Sequence, residues 1–299
     1  MVFAPAVTLT VTIEEGRESH LHAGGQGFWV AQLMAELGVD VTMVAPLGGE
    51  TGVVLSAIVA HAGIGLRSTT MATSNGMCID ERKDGRLAVI ADLASAAPLT
   101  RHEVDDLYGA TLVEGLDAGV CVLAGPGEAP VISAAIYERL AHDLGVNGRP
   151  GVADLSGEHL RRAIAGGIPV LKVSAEQLED DGWLATDTDD AIVECAARLR
   201  DAGADTVVIT RAERGVVVAT GQGVSHVHSP RVQVVEPRGA GDSLTAGVAA
   251  TLAQGGSIAD GVRMGTAAGV LNVTRRGLGT GGRREIEDLA KSIDVRRIA

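Results

Sequence analysis

The residues best placed to do chemistry lie in the run Val234-Val235-Glu236-Pro237-Arg238-Gly239-Ala240-Gly241-Asp242-Ser243. Small residues just before a helix let backbone N–H groups approach an anion closely, and the positive end of the helix dipole favours negative charge there. Gly239, Ala240 and Gly241 are spaced to form such a cradle for a phosphoryl group. A carboxylate beside it, Asp242, could take a proton from an attacking hydroxyl while the cradle absorbs charge developing on the group in transfer. Taken alone, the same residues also describe an aspartate N-cap on a glycine-rich turn, which stabilises a helix by about 1 kcal/mol. The choice between the two depends on what the rest of the chain supplies.

The elements around this stretch alternate. Residues 5–14 are rich in β-branched types with alternating polarity, the sign of a strand with one wet face. The segment 22–27 leads into a helix over 28–37 stopped by Gly38, residues 39–47 form a buried strand, and Gly48 to Gly52 opens the next helix. Between residues 68 and 92, shorter alternating runs flank an Asp84-Gly85 hairpin signal. With residues 5–22 they predict a small β-sheet lid set into a larger body. Four apolar runs, 120–124, 150–154, 169–173 and 206–210, are separated by helical segments, and 215–219 with 224–235 read as a later antiparallel portion. The pattern predicts an α/β fold whose mostly parallel sheet is covered on both faces, with the site at the carboxyl ends of its strands. Helices at 242–254 and 258–273, a glycine-rich loop at 277–282 and a terminal helix from about Arg284 complete the chain.

Composition narrows the partners. The net charge of −13 over 299 residues argues against nucleic acid or an anionic membrane as the main partner, so an anion site must be local. Lysine occurs only at Lys83, Lys172 and Lys291. Cys78, Cys121 and Cys195 lack C-x-x-C spacing, which fits neither a disulfide framework nor a zinc site and suits a reducing cytoplasm. No apolar run reaches the length of a membrane span or a signal sequence. His20 with His22, and His226 with His228, have strand spacing, and two histidines without a third ligand read as exposed strand residues. The 277–282 loop fits G-x-G-x-x-G formally but follows a helix rather than a strand, so it is read as a turn or nucleotide-side loop.

Taken together, four segments resemble the ribokinase-like sugar kinases of the phosphofructokinase B family, in the 1-phosphofructokinase and hexose kinase branch. Gly239-Ala240-Gly241-Asp242-Ser243 is similar to the C-terminal signature; Asp154-Leu155-Ser156-Gly157-Glu158 to an aspartate-x-serine-glycine-glutamate segment; Ala267 to Val270 with Val273 to Arg275 to the adenine-side loop; and Gly24-Gly25-x-Gly27 to the N-terminal signature. The resemblance runs almost end to end and implies a single ribokinase-like domain over 1–299, a three-layer α/β/α body with a β lid. It implies transfer of the ATP γ-phosphoryl group to a sugar hydroxyl with Mg²⁺ on the phosphates. Asp242 would be the base and Gly239, Ala240 and Gly241 the anion hole. Thr8, Gly24, Gly25, Gln26 and Trp29 would line the acceptor pocket, Thr210, Gly215, Ala268 and Asn272 the nucleotide side, and Glu176, with Asp154 near the phosphates, the metal side.

The chain departs from the family pattern at telling positions. Gln26 stands for lysine, Trp29 for the sugar-binding asparagine, Thr8 for an aspartate that grips hydroxyls, and Ser74 for an arginine of the phosphosugar kinases. A bound sugar phosphate needs Lys or Arg partners, so fructose 6-phosphate and fructose 1-phosphate fit this pocket less well than the family at large. Glu176 sits one position out of register in Ser174-Ala175-Glu176-Gln177, Pro237 and Arg238 replace a threonine and a small apolar residue, and the loop from Thr210 to Gly215 lacks its first glycine. Two alternatives follow: a non-catalytic ligand-binding or regulatory protein on the kinase fold, or a kinase for a nucleoside-like ring alcohol stacked on Trp29. Edges of the lid sheet could also join two copies into a homodimer.

Overall fold

Strands of three to six apolar residues alternate with alanine-rich helices along the chain, and each strand sends successive side chains to opposite faces. The computed structural model describes residues 1–14, 18–83, 86–93, 98–127, 131–275 and 281–298. The first half runs β1 (Val2–Phe3), β2 (Thr8–Glu14), β3 (Glu18–Gly24), α1 (Gln26–Glu36), β4 (Thr42–Leu47), α2 (Gly49–His61), β5 (Gly65–Thr70), β6 (Met77–Lys83), β7 (Arg86–Leu93), α3 (Arg101–Asp117), β8 (Cys121–Ala124) and α4 (Ala135–Val146). The second half runs β9 (Gly151–Asp154), α5 (Gly157–Ala165), β10 (Val170–Ser174), α6 (Ala175–Asp180), α7 (Asp189–Asp201), β11 (Thr206–Thr210), β12 (Val216–Thr220), β13 (Gly223–Val227), α8 (Ala240–Ala253), α9 (Ile258–Val273), α10 (Arg283–Ala290) and β14 (Val295–Arg297).

Ten strands form one sheet in the order β14-β13-β12-β11-β10-β9-β8-β1-β4-β5. From β11 to β5 every pairing is parallel, and β12, β13 and β14 extend the other edge antiparallel. Alternation divides the core in two. Val2, Met43, Val122, Val152 and Val208 pack with α1, α2, α8, α9 and α10 on one face. Phe3, Val44, Leu123, Leu171 and Ile209 pack with α3, α4, α5, α6 and α7 on the other. This is the three-layer α/β/α arrangement expected from the pattern of apolar runs. Among the described residues no helix is long and apolar enough to cross a membrane.

The small sheet has the order β3-β2-β6-β7, with β2 and β6 parallel and the other pairs antiparallel. Its second segment starts at Met77 rather than near residue 68, because Ser68, Thr69 and Thr70 belong to β5 and pair with β4 in the main sheet. The antiparallel portion ends at Val227, so residues 228–235 are not strand as the sequence pattern suggested. The Asp84-Gly85 turn and most of the 277–282 loop lie outside the described residues.

Cross-strand registers show how the lid is built. Thr10 stands opposite His22 and Cys78, and Thr12 opposite His20 and Asp80, giving one polar face. Leu9, Val11, Leu21, Ile79 and, through Met77, Leu93 share the other. Burial divides each face along its length: on the apolar face Leu9 and Ala23 are buried in the core while Leu21 and Leu93 are each 54 % exposed, and on the polar face Thr12 and Asp80 are buried while His20 and His22 are exposed. The sheet thus joins the body through Leu9 and Ala23, with Val11 and Met77 packed beside them.

Candidate active site

The parallel strands all end on the side where α1 and α8 begin, and the candidate residues gather there. Gly239 caps α8 in the left-handed conformation with φ 77°, and Asp242 lies in the helix's first turn. Behind this turn stands Lys172 of β10, whose Nζ lies 2.6 Å from where a Cβ on Gly241 would be. A Cβ at this position would displace the ammonium from its place against the turn. Lys172 is 6 % exposed, and such a charge needs a partner. Asp154, at the end of the neighbouring strand and in register with it, supplies both carboxylate oxygens at 2.9 and 3.0 Å. Thr245, one turn into α8, donates its hydroxyl to Asp154 Oδ2 at 2.6 Å. Strand β9, strand β10 and helix α8 are thus pinned together at the cradle.

Asp242 itself is half-buried, and its carboxyl is pushed up to about 6. Desolvation in the cleft is the main cause and the nearby negative Asp154 the second; Lys172 and a hydrogen bond from Gln26 pull the other way. A carboxylate near 6 is largely ionised at neutral pH yet basic enough to accept a proton from an alcohol in a transition state.

Around this centre the predicted residues divide. Gln26, at the start of α1, accepts the Gly125 N–H at 2.6 Å through Oε1. Gly24 and Gly25 bring the end of β3 to the same helix start, and Thr8 opens β2 opposite Gly24. Trp29 is half-buried, packs against the core and meets Phe28 edge-on at 5.3 Å. On the nucleotide side Thr210 ends β11 and Gly215 follows a short turn at 212–214. Ala268 is a buried core residue of α9. Asn272, 1 % exposed, donates through Nδ2 to the Arg238 carbonyl at 2.7 Å, and Val235 N–H bonds the Val273 carbonyl at 2.7 Å. These contacts fasten the segment leading into the cradle to the end of α9. Glu176 is exposed in the first turn of α6, where Ser174 and Gln177 form a reciprocal capping box. Arg238 is engaged bidentately by Glu236 at 2.9 and 3.0 Å.

Lys172, Thr245 and Gly125 were not among the residues singled out from sequence. A signal existed for Lys172, one of so few lysines and set inside the apolar strand Val170-Leu171-Lys172-Val173. Gly125 has none, because only its backbone N–H takes part. His226 contacts both His228 and the Arg214 carbonyl, and no cluster of three or more metal-type side chains occurs among the described residues.

Asp242 thus stands beside a glycine-rich turn backed by a buried cation, at the strand ends of a doubly covered, mostly parallel sheet. The chain belongs to the pfkB family of carbohydrate kinases, whose pattern matches residues 3–284. It is 26 % identical over 296 residues to the ATP-dependent 6-phosphofructokinase isozyme 2 of Mycobacterium tuberculosis, covering 95 % of this chain and 86 % of that one. Phosphofructokinase-2 from Escherichia coli superposes with a TM-score of 0.86 at 22 % identity, covering 97 % of each chain. Arabidopsis thaliana ribokinase superposes at 0.73 with 20 % identity, over 97 % of this chain and 98 % of that one. The fold is ribokinase-like, and the protein is a sugar or sugar-phosphate kinase.

Proposed function

We propose that this kinase transfers the γ-phosphoryl group of ATP to a sugar hydroxyl with Asp242 as general base and the Gly239–Gly241 turn as anion hole. The acceptor oxygen forms the new bond to phosphorus, the bond between the γ-phosphorus and the bridging oxygen breaks, ADP leaves, and the hydroxyl proton passes to Asp242. The observation that carries this reading is the raised, half-buried carboxyl of Asp242 in the first turn of α8, next to the cradle that Lys172 backs. The small residues Gly239 to Gly241 open α8, so its first N–H groups can approach a phosphate. Lys172 holds a fixed positive charge where charge builds up on the transferring group. Mg²⁺ would be carried mainly by the ATP phosphates, with Glu176 as an exposed hard-oxygen ligand, and would neutralise phosphate charge.

For the acceptor, the lid cleft favours an uncharged sugar. Among the described residues, Arg82 and Arg238 near the cleft are already paired, Arg82 with Glu14 at 2.9 Å and Arg238 with Glu236 at 2.9 Å. A phosphosugar would have to displace a carboxylate to be gripped, and a neutral sugar would not. Leu21 and Leu93, the exposed part of the lid's apolar face, support association of two copies through the lid.

Asp242→Asn is the direct test. Turnover on the best acceptor from a mass-spectrometric panel of neutral sugars, fructose 6-phosphate and nucleosides is expected to fall at least about 100-fold. Stabilisation by ATP should persist, about 2.7 kcal/mol at 100 times the dissociation constant. Undiminished turnover would remove Asp242 as the base, and a preference for fructose 6-phosphate would overturn the neutral-acceptor reading.

A further inference from the structure

Thr245 follows Asp242 by three residues in α8 and is fully buried. Its hydroxyl has one proton and two oxygens in reach, Asp154 Oδ2 at 2.6 Å and the Gly241 carbonyl at 3.1 Å. The shorter contact, to a charged acceptor, is the stronger bond and takes the proton. Asp154 on β9 stands in register with Lys172 on β10, so the two side chains leave the sheet on the same face. The Lys172 ammonium carries three N–H groups, and two go to Asp154 at 2.9 and 3.0 Å, which leaves one that Asp154 does not hold. The same Nζ stands where a Cβ on Gly241 would reach, against the turn that opens α8.

This chain of contacts has little slack. Asp154 is 2 % and Lys172 6 % exposed, so neither group meets bulk water. Helix α8 lies flush on α9: a Cβ on Gly247 would strike the Gly265 backbone, and one on Gly265 the Leu244 backbone. Thr245 is therefore delivered to Asp154 at a fixed height by the helix that also carries Gly241 and Asp242. Each Asp154 oxygen has the ammonium as a donor, and Oδ2 has the hydroxyl as well. Without that hydroxyl the carboxylate plane would be set by the ammonium alone, and the two groups would turn together instead of being keyed to the helix. A buried charge keyed to the element that carries the reacting groups is what productive geometry to within about half an ångström requires.

We propose that Thr245 is a positioning residue for phosphoryl transfer, its hydroxyl orienting the Asp154 carboxylate and, through it, holding the Lys172 ammonium against the Gly239–Gly241 turn. The inference rests on that turn and Lys172 receiving the transferring phosphoryl group, but the placement of Lys172 can be read without any turnover. Thr245 acts only through Asp154, since it is buried and its one proton is committed there.

The test sets Thr245→Val, which keeps the branched shape and loses the hydroxyl, against Thr245→Ser, which keeps the hydroxyl and loses the methyl. Lysine occurs only at positions 83, 172 and 291, so the full chain labelled with ¹³C at lysine Cε gives three signals. Lys83→Arg and Lys291→Arg identify two of them, and the third belongs to Lys172. In the ligand-free protein the Lys172 signal is expected to move in Thr245→Val and to stay in place in Thr245→Ser. Assayed well below the melting temperature, turnover should fall at least about tenfold in Thr245→Val, with the apparent KM for the acceptor within about twofold, and should stay within about threefold of the parent in Thr245→Ser. A Lys172 signal unmoved in folded Thr245→Val overturns the proposal, and so do equal losses of turnover in the two variants, which would trace to packing. A moved signal with undiminished turnover removes Thr245 from the transfer. A moved signal in a protein whose parent phosphorylates no acceptor leaves the placement of Lys172 standing and overturns the kinase role of the turn instead.

Discussion

At the scale of single residues, the site depends on how charge is shared among Asp242, Asp154 and Lys172. Asp154 is saturated by three donor contacts, two from Lys172 and one from Thr245. That leaves Asp242 as the carboxylate whose free lone pairs face the cleft. Its carboxyl ordinarily titrates at 3.8 and is raised to about 6 in the folded protein. Two pH effects of opposite sense follow. As the proposed general base Asp242 would act in its ionised form, so turnover should fall roughly tenfold per unit as pH drops below about 6. Stability responds the other way: the folded state binds the proton more tightly than the unfolded chain does, so the contribution of this group is fully present below the unfolded value and is lost as pH rises through about 6. Asp242→Asn carries no such titration. Denaturant melts at about pH 4 and pH 7 should show the variant gaining roughly 1–3 kcal/mol relative to the parent at the higher pH, in line with a rise of about two units. Equal pH dependence of parent and variant would show that Asp242 is not desolvated in solution.

At the scale of elements, the nucleotide-side turn shows how far the sequence could be read. The missing glycine in Thr210 to Gly215 is visible in the letters, and the structure shows its consequence: Ala212 takes φ 47°, the one non-glycine residue with positive φ among those described. Arg211, almost fully buried, holds this turn to the start of α7 through Asp187 at 2.6 Å and Asp189 at 2.7 Å. The strain is therefore stored against a strong ionic clamp. Ala212→Gly should relieve it and stabilise the protein by about 0.5–1 kcal/mol, raising the melting temperature by about 1–3 °C. A lower melting temperature would mean that the turn is not strained. Periodicity likewise found β11, α8 and α9 to within a residue or two, because each is a long run of one pattern. It missed β1, since Val2 and Phe3 are too few to show alternation, and β14, whose Arg296 and Arg297 hide a strand paired only at the sheet's edge. The helix start at Gly239 to Asp242 was legible because small residues followed by an acid carry that signal locally. The Lys172–Asp154–Thr245 pin was not, because it joins three elements and depends on register.

At the scale of the whole molecule, the proposed roles of the lid are to select what enters the cleft and to join two copies. Its polar face points at the segment before the cradle: Cys78, raised to about 11 by desolvation and its bond to Asp80, also feels Arg238, and Glu236 feels Arg82. Its reverse exposes Leu21 and Leu93, with Val89 and Ile90 exposed on the edge strand β7. An apolar sheet face on a chain of net charge −13 is costly to leave in water, and long-range repulsion between copies does not act strongly across a contact screened by salt. A second copy of the same face, apolar and self-complementary about a two-fold axis, is the occupant that needs no other partner. Sedimentation equilibrium is therefore expected to give a dimer of about twice 30.5 kDa. Leu21→Asp should convert it to a monomer while leaving the fold intact, because Leu21 is more than half exposed and packs on nothing deep in the body. If the parent sediments as a monomer, the lid does not pair, and if Leu21→Asp stays dimeric, the contact lies on another face. Because the same four strands carry the polar face over the acceptor, the monomer should also bind its acceptor more weakly, with the apparent KM for sugar rising and that for ATP unchanged.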